Sequence, residues 1–193
     1  KIRQLLKEEA GKQVDIAKIS AYTSRLWSDE VDKPLSIAPL YSAQGFLSLV
    51  INFSLESRFK MLSSFNPNDI LKEISKGQET VVHTQPTMWT LLLNSRIINF
   101  TNLDALRAVV VSGSWCSPEL ARQIEKETGC QILNAYGLIE GTSVVTLTRR
   151  GDPEEIRLNT VGRPLPGVEI KIVDEKRKPV KLGEVGELAV RGY

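Results

Sequence analysis

The sequence predicts an α/β protein, in which a mostly parallel sheet flanked by helices is followed by the start of a small antiparallel β subdomain. Through most of the chain, short apolar runs alternate with stretches of helical periodicity, and this alternation is typical of a parallel sheet covered on both faces. Towards the carboxyl end, two alternating runs at residues 168–173 and 187–190 enclose a charged turn, which favours an antiparallel hairpin.

The individual elements follow from apolar spacing and from the positions of proline. Pro67, Pro86 and Pro118 each begin a stretch of helical periodicity, and proline is favoured at the first position of a helix. After a helical lead-in at residues 1–34, the predicted strands are 35–40, 59–62, 80–84, 106–111, 131–133 and 144–148. The predicted helices are 46–53, 67–76, 87–94 and 120–128.

A change of character near residue 156 predicts how the chain is divided. Residues 149–159 are polar and are expected to form turns, and glycine and proline are frequent from Gly162 to Gly167. We therefore expect a partial α/β subdomain at residues 35–156, followed by the start of a β-barrel-like subdomain at residues 157–193.

The composition excludes several classes of function. The 193 residues carry a net charge of +2, which gives no argument for binding nucleic acid or an anionic membrane surface. No apolar run reaches the length of a transmembrane helix. Cys116 and Cys130 are too few for a disulfide framework and lack the spacing of a metal site. A reducing compartment, most simply the cytosol, is expected.

Residues 134–142 concentrate the side chains that a nucleotide site uses. They contain an amide, an aromatic ring, two glycines, a carboxylate and a hydroxyl. The ring of Tyr136 can stack on a base, a glycine lets the backbone approach a phosphate, and Glu140 can hold Mg²⁺. The alternative is a strand-to-turn connection with a hydrogen-bonded Tyr136 and a solvated Glu140. These residues alone leave both interpretations open.

A second candidate segment follows the predicted strand 106–111. Its turn contains Gly113, Ser114 and Trp115, and ligands of open parallel sheets bind beyond the carboxyl ends of the strands. The alternative is a tight connection with Trp115 in the core. The next predicted strand leads into residues 134–142, so the two turns are expected at the same sheet edge. Neither of the two common glycine-rich phosphate motifs is present.

The sequence lacks the catalytic residue pattern of a serine hydrolase. His83 is the only histidine, and a Gly-x-Ser-x-Gly motif is absent. A lone histidine at the end of a strand is more often a hydrogen-bonded structural residue than a general base. We therefore expect a structural role for His83.

Four ordered segments resemble the AMP-forming adenylating superfamily, which includes acyl- and aryl-CoA synthetases, peptide-synthetase adenylation domains and luciferases. Residues 134–140 are similar to its Tyr-Gly-x-Thr-Glu signature, and residues 39–45 to its Pro-Leu-Phe-His-x-x-Gly block. Residues 162–168 and 186–193 resemble its downstream blocks. The resemblance covers residues 35–193 and is closest to the fatty acyl-CoA synthetases.

The resemblance implies a ligase that uses ATP and Mg²⁺ to activate a carboxylic acid, favouring a fatty acid, and then transfers it to coenzyme A or to a carrier-protein thiol. Glu140 would be catalytic by holding Mg²⁺. The nucleotide would be bound by Gly113, Ser114, Trp115, Asn134, Ala135, Tyr136, Gly137 and Thr142, with Tyr136 stacked on adenine. Tyr41, Ser42 and Gly45 would line the pocket of the acid or the thiol.

The chain departs from the family pattern in ways that affect activity. Ile139 replaces the threonine that hydrogen-bonds the phosphate, so Thr142 or another segment would have to substitute, and Ser42 replaces a histidine. The family's phosphate loop is absent from residues 1–33, and its ribose-binding aspartate and catalytic lysine would follow residue 193. We therefore expect an inactive fragment, able to self-associate through exposed apolar surface. The alternative is a non-catalytic nucleotide-binding or regulatory module on the same fold.

Overall fold

The structure of the chain is a computed structural model that describes residues 33–54, 58–141 and 143–192. The predicted helical lead-in at residues 1–34 lies outside the described residues, apart from Lys33 and Pro34, and the first strand begins at Pro34.

The described residues contain nine strands. They are β1 (Pro34–Ser36), β2 (Lys60–Met61), β3 (Val81–Thr84), β4 (Ala108–Val111), β5 (Gln131–Leu138), β6 (Ser143–Leu147), β7 (Arg163–Pro164), β8 (Glu169–Val173) and β9 (Glu187–Arg191). The first seven form one sheet in the order β2-β1-β3-β4-β5-β6-β7. Strands β1 to β5 are parallel, β6 and β7 are antiparallel to their neighbours, and β8 and β9 form a separate antiparallel pair. The predicted fold class is confirmed.

Five α-helices and two short 3₁₀ turns accompany the strands in the described ranges. The helices are α1 (Ala43–Ser54), α2 (Pro67–Ile74), α3 (Pro86–Leu93), α4 (Pro118–Thr128) and α5 (Glu154–Asn159). The 3₁₀ turns cover Ile98–Phe100 and Ile139–Gly141. Across these parts of the chain, no helix combines the length and the apolar character that crossing a membrane requires.

Three helices begin where the sequence predicts. Proline stands at the start of α2, α3 and α4, where its missing N–H costs no intrahelical hydrogen bond. The Asn66 side chain accepts a hydrogen bond from the backbone N–H of Asn68 at 3.0 Å. Ser117 Oγ accepts one from the backbone N–H of Leu120 at 3.2 Å. These caps satisfy donors that have no partner inside the helix.

The main core lies between one face of the sheet and helices α2 to α4. Val82, Val109 and Ile132 are neighbours across β3, β4 and β5 and are fully buried. They pack in one cluster with Ile70, Leu71, Ile74, Trp89, Leu92, Ala121 and Ile124 of the helices. The opposite face carries a second cluster, formed by Val81, Ala108, Val110, Leu133 and Leu147. Packing on both faces fixes where the carboxyl ends of the parallel strands lie.

Helix α1 exposes several large apolar side chains to solvent. Phe46 and Phe53 are 61% and 77% exposed, whereas Ser48 and Asn52 of the same helix are buried. Contiguous exposed apolar side chains are typical of interaction surfaces. Self-association of the chain stays a prediction.

Three predictions about secondary structure are wrong. The predicted strand 35–40 ends at Ser36, because a bend and a turn at residues 37–42 lead into α1. Strand β5 continues to Leu138 instead of ending at residue 133, because β6 pairs with its second half, with Tyr136 opposite Thr146. Residues 149–159 are not only turns, because α5 forms there and buries Arg157 and Leu158. The predicted boundary near residue 156 falls inside α5, and the division into subdomains stays a prediction.

Two ion pairs join α4 to α5 and differ in burial. Glu125 accepts from Arg157, which is only 5% exposed, and its Oε1 also accepts from the backbone N–H of Ile132 at 2.9 Å. Arg122 pairs with Glu154 at 2.9 Å, and both of these side chains are more than half exposed. The buried pair therefore ties α5 to α4, while the exposed pair is weakened by solvent.

We expect Arg157→Met to lower the free energy of unfolding by about 2 kcal/mol, because it leaves a largely buried carboxylate with a single donor. Arg122→Met breaks a pair between the same two helices and should cost less than about 1 kcal/mol. Urea denaturation followed by circular dichroism measures both. Equal losses for the two variants would contradict the assigned role of burial.

Candidate functional site

The candidate site lies at the carboxyl edge of the parallel strands. Val111, the last residue of β4, is paired with Asn134 of β5. The loop after β4 and the second half of β5 therefore leave this register position side by side, as the sequence predicts. The strand order β1-β3-β4-β5 brings the segments that follow β1 and β3 to the same edge.

The two aromatic residues predicted to contact a nucleotide are both accessible. Trp115 is 63% exposed, so the alternative that places it in the core is wrong. Tyr136 is 37% exposed and lies opposite Thr146 of β6, where the pairing shifts register before Gly137. Gly137 is exposed as well. A ring fixed in a strand and open to solvent on part of its surface can stack on a planar ligand.

Gly113 shapes the loop between β4 and α4. Its φ of +86° lies in the left-handed region that favours glycine. A Cβ at this position would lie 3.4 Å from Nε2 of Gln85, so the loop after β4 lies against the residue that follows β3. Ser114 is exposed beside it. Gln85 was missed by the sequence reasoning, because an exposed glutamine before a proline carries no local pattern.

Asn134 is held by hydrogen bonds on both its backbone and its side chain. Its backbone N–H donates to Thr148 Oγ1 at 2.8 Å, and its carbonyl accepts from the backbone N–H of Thr148 at 3.0 Å. Its Nδ2 donates to the carbonyl of Arg157 at 2.6 Å. The side chain is 8% exposed and fixed towards α5, while Ala135 beside it is half-buried. Contact of these two residues with a base stays a prediction.

Glu140 lies on the 3₁₀ turn Ile139–Gly141 that directly follows β5, and its side chain is exposed. Within residues 33–54, 58–141 and 143–192, no three acidic, histidine or cysteine side chains are grouped to hold a metal ion. A lone accessible carboxylate still suits Mg²⁺, which keeps several water ligands and takes others from phosphate oxygens. The neighbouring Ile139 is 80% exposed, and Thr142 lies outside the described residues.

The segment after β1 contains the residues predicted to line the substrate pocket. Ser42 Oγ donates to the carbonyl of Pro39 at 2.7 Å and accepts from the backbone N–H of Gly45 at 3.1 Å, so this hydroxyl stabilises the start of α1. A Cβ on Gly45 would lie 2.1 Å from the Pro39 carbonyl oxygen, which leaves room for glycine alone. Tyr41 is 93% exposed. A role of the three residues in binding stays a prediction.

His83 lies on β3 beneath α1 and is 9% exposed. Its Nδ1 is 3.3 Å from Ser48 Oγ. Burial lowers the pKa of the imidazole to about 4, since a charged ring would lose its hydration. The ring is therefore neutral at pH 7, and this environment agrees with the structural role expected from the sequence.

We expect this histidine to make the fold less stable in mild acid. The imidazole is neutral in both states above its unfolded pKa of about 6.5, but below that value only the unfolded chain takes up the proton. Stability should therefore fall as the pH drops from about 6.5 towards the folded pKa of about 4, by about 2 kcal/mol between pH 7 and pH 5. Urea denaturation of wild type and His83→Gln across this range tests the expectation, and parallel curves would contradict it.

The mostly parallel sheet, with exposed glycine and aromatic residues at the carboxyl edge of its parallel strands, makes the chain an open α/β protein, a class in which ligands bind at this edge. The family model described as "AMP-binding enzyme" matches residues 13–193, so the chain belongs to this family of adenylate-forming ligases. The resemblance found in the sequence is confirmed at the level of the superfamily.

Individual relatives agree with the family assignment. The "Putative acyl-CoA synthetase YngI" of Bacillus subtilis is 32% identical over 182 residues, which cover 93% of this chain and 32% of that protein. The medium/long-chain-fatty-acid–CoA ligase FadD8 of Mycobacterium tuberculosis is 32% identical over 132 residues, which cover 68% of this chain and 23% of that protein. The crystal structure of ATP-bound MatB from Rhodopseudomonas palustris matches this chain with a TM-score of 0.75 and 27% sequence identity. The match covers 91% of this chain and 35% of that one. The chain thus spans about a third or less of these relatives.

Proposed function

We propose that this chain is the nucleotide-binding part of an ATP-dependent, AMP-forming ligase that activates a carboxylic acid and transfers it to coenzyme A. A fatty acid is the favoured substrate. The observation that carries the proposal is the pairing of Val111 with Asn134, which starts the Trp115 loop and the Tyr136 segment from one sheet edge. Membership of the AMP-binding enzyme family supports the same reaction class.

The proposed reaction has two steps. A carboxylate oxygen of the acid attacks the α-phosphorus of ATP, and pyrophosphate leaves, which gives an acyl-adenylate. The thiol of coenzyme A then loses its proton to solvent, its sulfur forms a bond to the acyl carbon, and AMP leaves as the bond from that carbon to the phosphate oxygen breaks. The proposed role of the chain is to hold the nucleotide and the acid so that these atoms meet, because most of the barrier to phosphoryl transfer is overcome by positioning and electrostatics.

Each predicted site residue receives a proposed role. The partly exposed ring of Tyr136 stacks on adenine, and Gly113, Ser114 and Trp115 wall the nucleotide and the acid. Gly137 lets the backbone approach a phosphate, with Asn134 and Ala135 at the edge of the base. Tyr41, Ser42 and Gly45 border the acid or the thiol, and Thr142 is a proposed phosphate donor. These assignments rest on the sequence resemblance. For Tyr41, Gly113, Ser114, Trp115, Tyr136 and Gly137 they also rest on exposure at a shared sheet edge.

The exposed carboxylate of Glu140 fits the proposed Mg²⁺ site. It stands at the end of β5, one short turn beyond Tyr136 and Gly137, where phosphates would follow a stacked base. When bound there, Mg²⁺ would neutralise negative charge on the phosphate oxygens. Glu140 itself would provide one anionic ligand, and the phosphates and water would provide the others.

The chain by itself is proposed to bind ATP without efficient turnover. Ile139 carries no donor at the position of the family's phosphate-binding threonine, and its side chain is 80% exposed. A cytosolic location is proposed as well, since Cys116 and Cys130 are both free thiols, which suits a reducing compartment.

Incubation of the 193-residue chain with ATP, Mg²⁺ and fatty acids of graded length tests the proposal. We expect ATP binding by isothermal titration and little release of pyrophosphate. Robust turnover would overturn the proposed inactivity of the chain. A failure to bind either ATP or AMP would overturn the proposed function.

A non-catalytic nucleotide-binding or regulatory module is the second candidate, and Ile139 is the observation that favours it. Sequencing the gene distinguishes the two candidates. A Thr-Gly-Asp segment and a lysine-bearing carboxyl-terminal domain downstream in the same reading frame would favour the ligase.

A further inference from the structure

Gln85 stands between the two halves of the proposed site. It follows β3 directly, and β3 lies between β1 and β4 in the sheet. The segment after β1 carries the proposed acid-binding residues, whereas the loop after β4 and the end of β5 carry the proposed nucleotide-binding residues. Gln85 therefore occupies the junction at which an acid and the phosphates of a nucleotide would meet.

The side chain of Gln85 reaches towards the nucleotide half. Its Nε2, Cγ and Cδ lie 3.4, 3.5 and 3.7 Å from the position that a Cβ on Gly113 would take, and they are the three atoms nearest to that position. Because residue 113 is glycine, no side chain occupies this position beside the amide. Gln85 is also exposed, so a ligand can reach the amide.

The amide of Gln85 is not needed to start α3. Gln85 is the N-cap residue, but its side chain makes no capping hydrogen bond, unlike Asn66 and Ser117 at the starts of α2 and α4. Nothing in the described part of the chain accepts a hydrogen bond from its Nε2. The amide can therefore donate to a bound molecule without giving up a bond within the protein.

We propose that Gln85 Nε2 donates a hydrogen bond to the oxygen of the acid's carboxylate that does not attack phosphorus. This inference rests on the proposed function and adds a substrate-binding residue to it. The attacking oxygen forms the bond to the α-phosphorus, the bond from that phosphorus to pyrophosphate breaks, and the oxygen held by Gln85 becomes the acyl carbonyl of the adenylate. No proton is transferred, because the acid reacts as its carboxylate.

A neutral amide suits this position better than a charged group. The same N–H can donate to the anionic carboxylate before the reaction and to the neutral carbonyl afterwards, so the contact persists while the charge changes. A lysine would also attract the phosphates, and a carboxylate would repel them. Gln85 would thus orient the acid without contributing charge.

The test uses the 193-residue chain and three probes that share the nucleoside: 5′-O-sulfamoyladenosine and its N-decanoyl and N-benzoyl derivatives. The two derivatives present an acyl carbonyl, and sulfamoyladenosine has none. Isothermal titration gives the affinities for wild type, Gln85→Ala and Gln85→Glu. Gln123→Ala, which removes an exposed glutamine from α4, is the matched control.

We expect Gln85→Ala to lower the affinity for both acyl probes by about tenfold, which corresponds to the loss of one hydrogen bond. The affinity for sulfamoyladenosine should not change. Gln85→Glu should lower the affinity for the acyl probes at least as much, and Gln123→Ala should bind all three probes with wild-type affinity. An unchanged affinity of Gln85→Ala for the acyl probes overturns the inference and leaves the proposed function intact. So does an equal loss with all three probes, or a loss with only one acyl group. Failure of the wild type to bind any probe overturns the proposed function and this inference together.

Discussion

Replacing Gly162 with alanine is expected to lower the free energy of unfolding by more than about 4 kcal/mol, the range that marks a severe structural conflict. Gly162 has a φ of +79°, and an added Cβ would lie 2.1 Å from the carbonyl carbon and oxygen of Leu147 and 2.2 Å from the backbone nitrogen of Thr148. These atoms cannot move freely, because Leu147 pairs with Arg163 of β7 and the Thr148 N–H donates to the Asn134 carbonyl.

Gly151→Ala is the matched control for this substitution. Gly151 has nearly the same φ, +78°, but no atom lies within 4 Å of the position of its Cβ. The alanine there should cost only the backbone strain of the left-handed region, about 1 kcal/mol. Urea denaturation of both variants separates strain from steric conflict. If the two variants lose similar amounts of unfolding free energy, close packing against β6 is not the reason that position 162 needs glycine.

Tyr136→Ala is expected to have the largest effect on nucleotide binding, weakening the affinity for AMP roughly tenfold or more, since stacking of one base on an aromatic side chain contributes about 1–3 kcal/mol. The ring is 37% exposed and fixed in β5 opposite Thr146, so its removal should not disturb the core. Isothermal titration with AMP measures the effect.

Two variants show whether such a loss comes from the ring itself. Tyr136→Phe keeps the aromatic face and should bind AMP almost as wild type. Phe100→Ala removes an aromatic residue that is 89% exposed on a 3₁₀ turn and should leave the affinity for AMP unchanged. If Tyr136→Ala keeps the wild-type affinity, or if Tyr136→Phe loses as much as Tyr136→Ala, stacking is not the role of this residue.

Much of the fold could be predicted because its signals are local. The helix starts at Pro67, Pro86 and Pro118 depend only on neighbouring residues. The strand Ala108–Val111 is a continuous apolar run that is buried on both faces, as expected for a parallel sheet. The alternation of such runs with helices was sufficient to predict the sheet edge at which Trp115 and Tyr136 lie.

The missed features depend on contacts that are distant in sequence. Residues 134–138 are strand only because β6 pairs with them, and their polar and glycine content hides this locally. Helix α5 has six residues, too few for a clear period, and Arg157 is buried because Glu125 of α4 pairs with it. Gln85 adjoins the proposed site through its neighbour Gly113, 28 positions away, which no local spacing reveals.

Strand β5 has two sections with different partners, which would link nucleotide binding at the proposed site to local unfolding. Its first four residues pair with β4, whereas residues 135–138 pair with β6. Detachment of β6 would release Tyr136 while leaving the parallel core closed, so the two sections can open with different free energies. A nucleotide that binds only the closed form must then stabilise the β6 pairing. Its presence would slow hydrogen–deuterium exchange of the amides of residues 135–138 far more than that of the β4 amides.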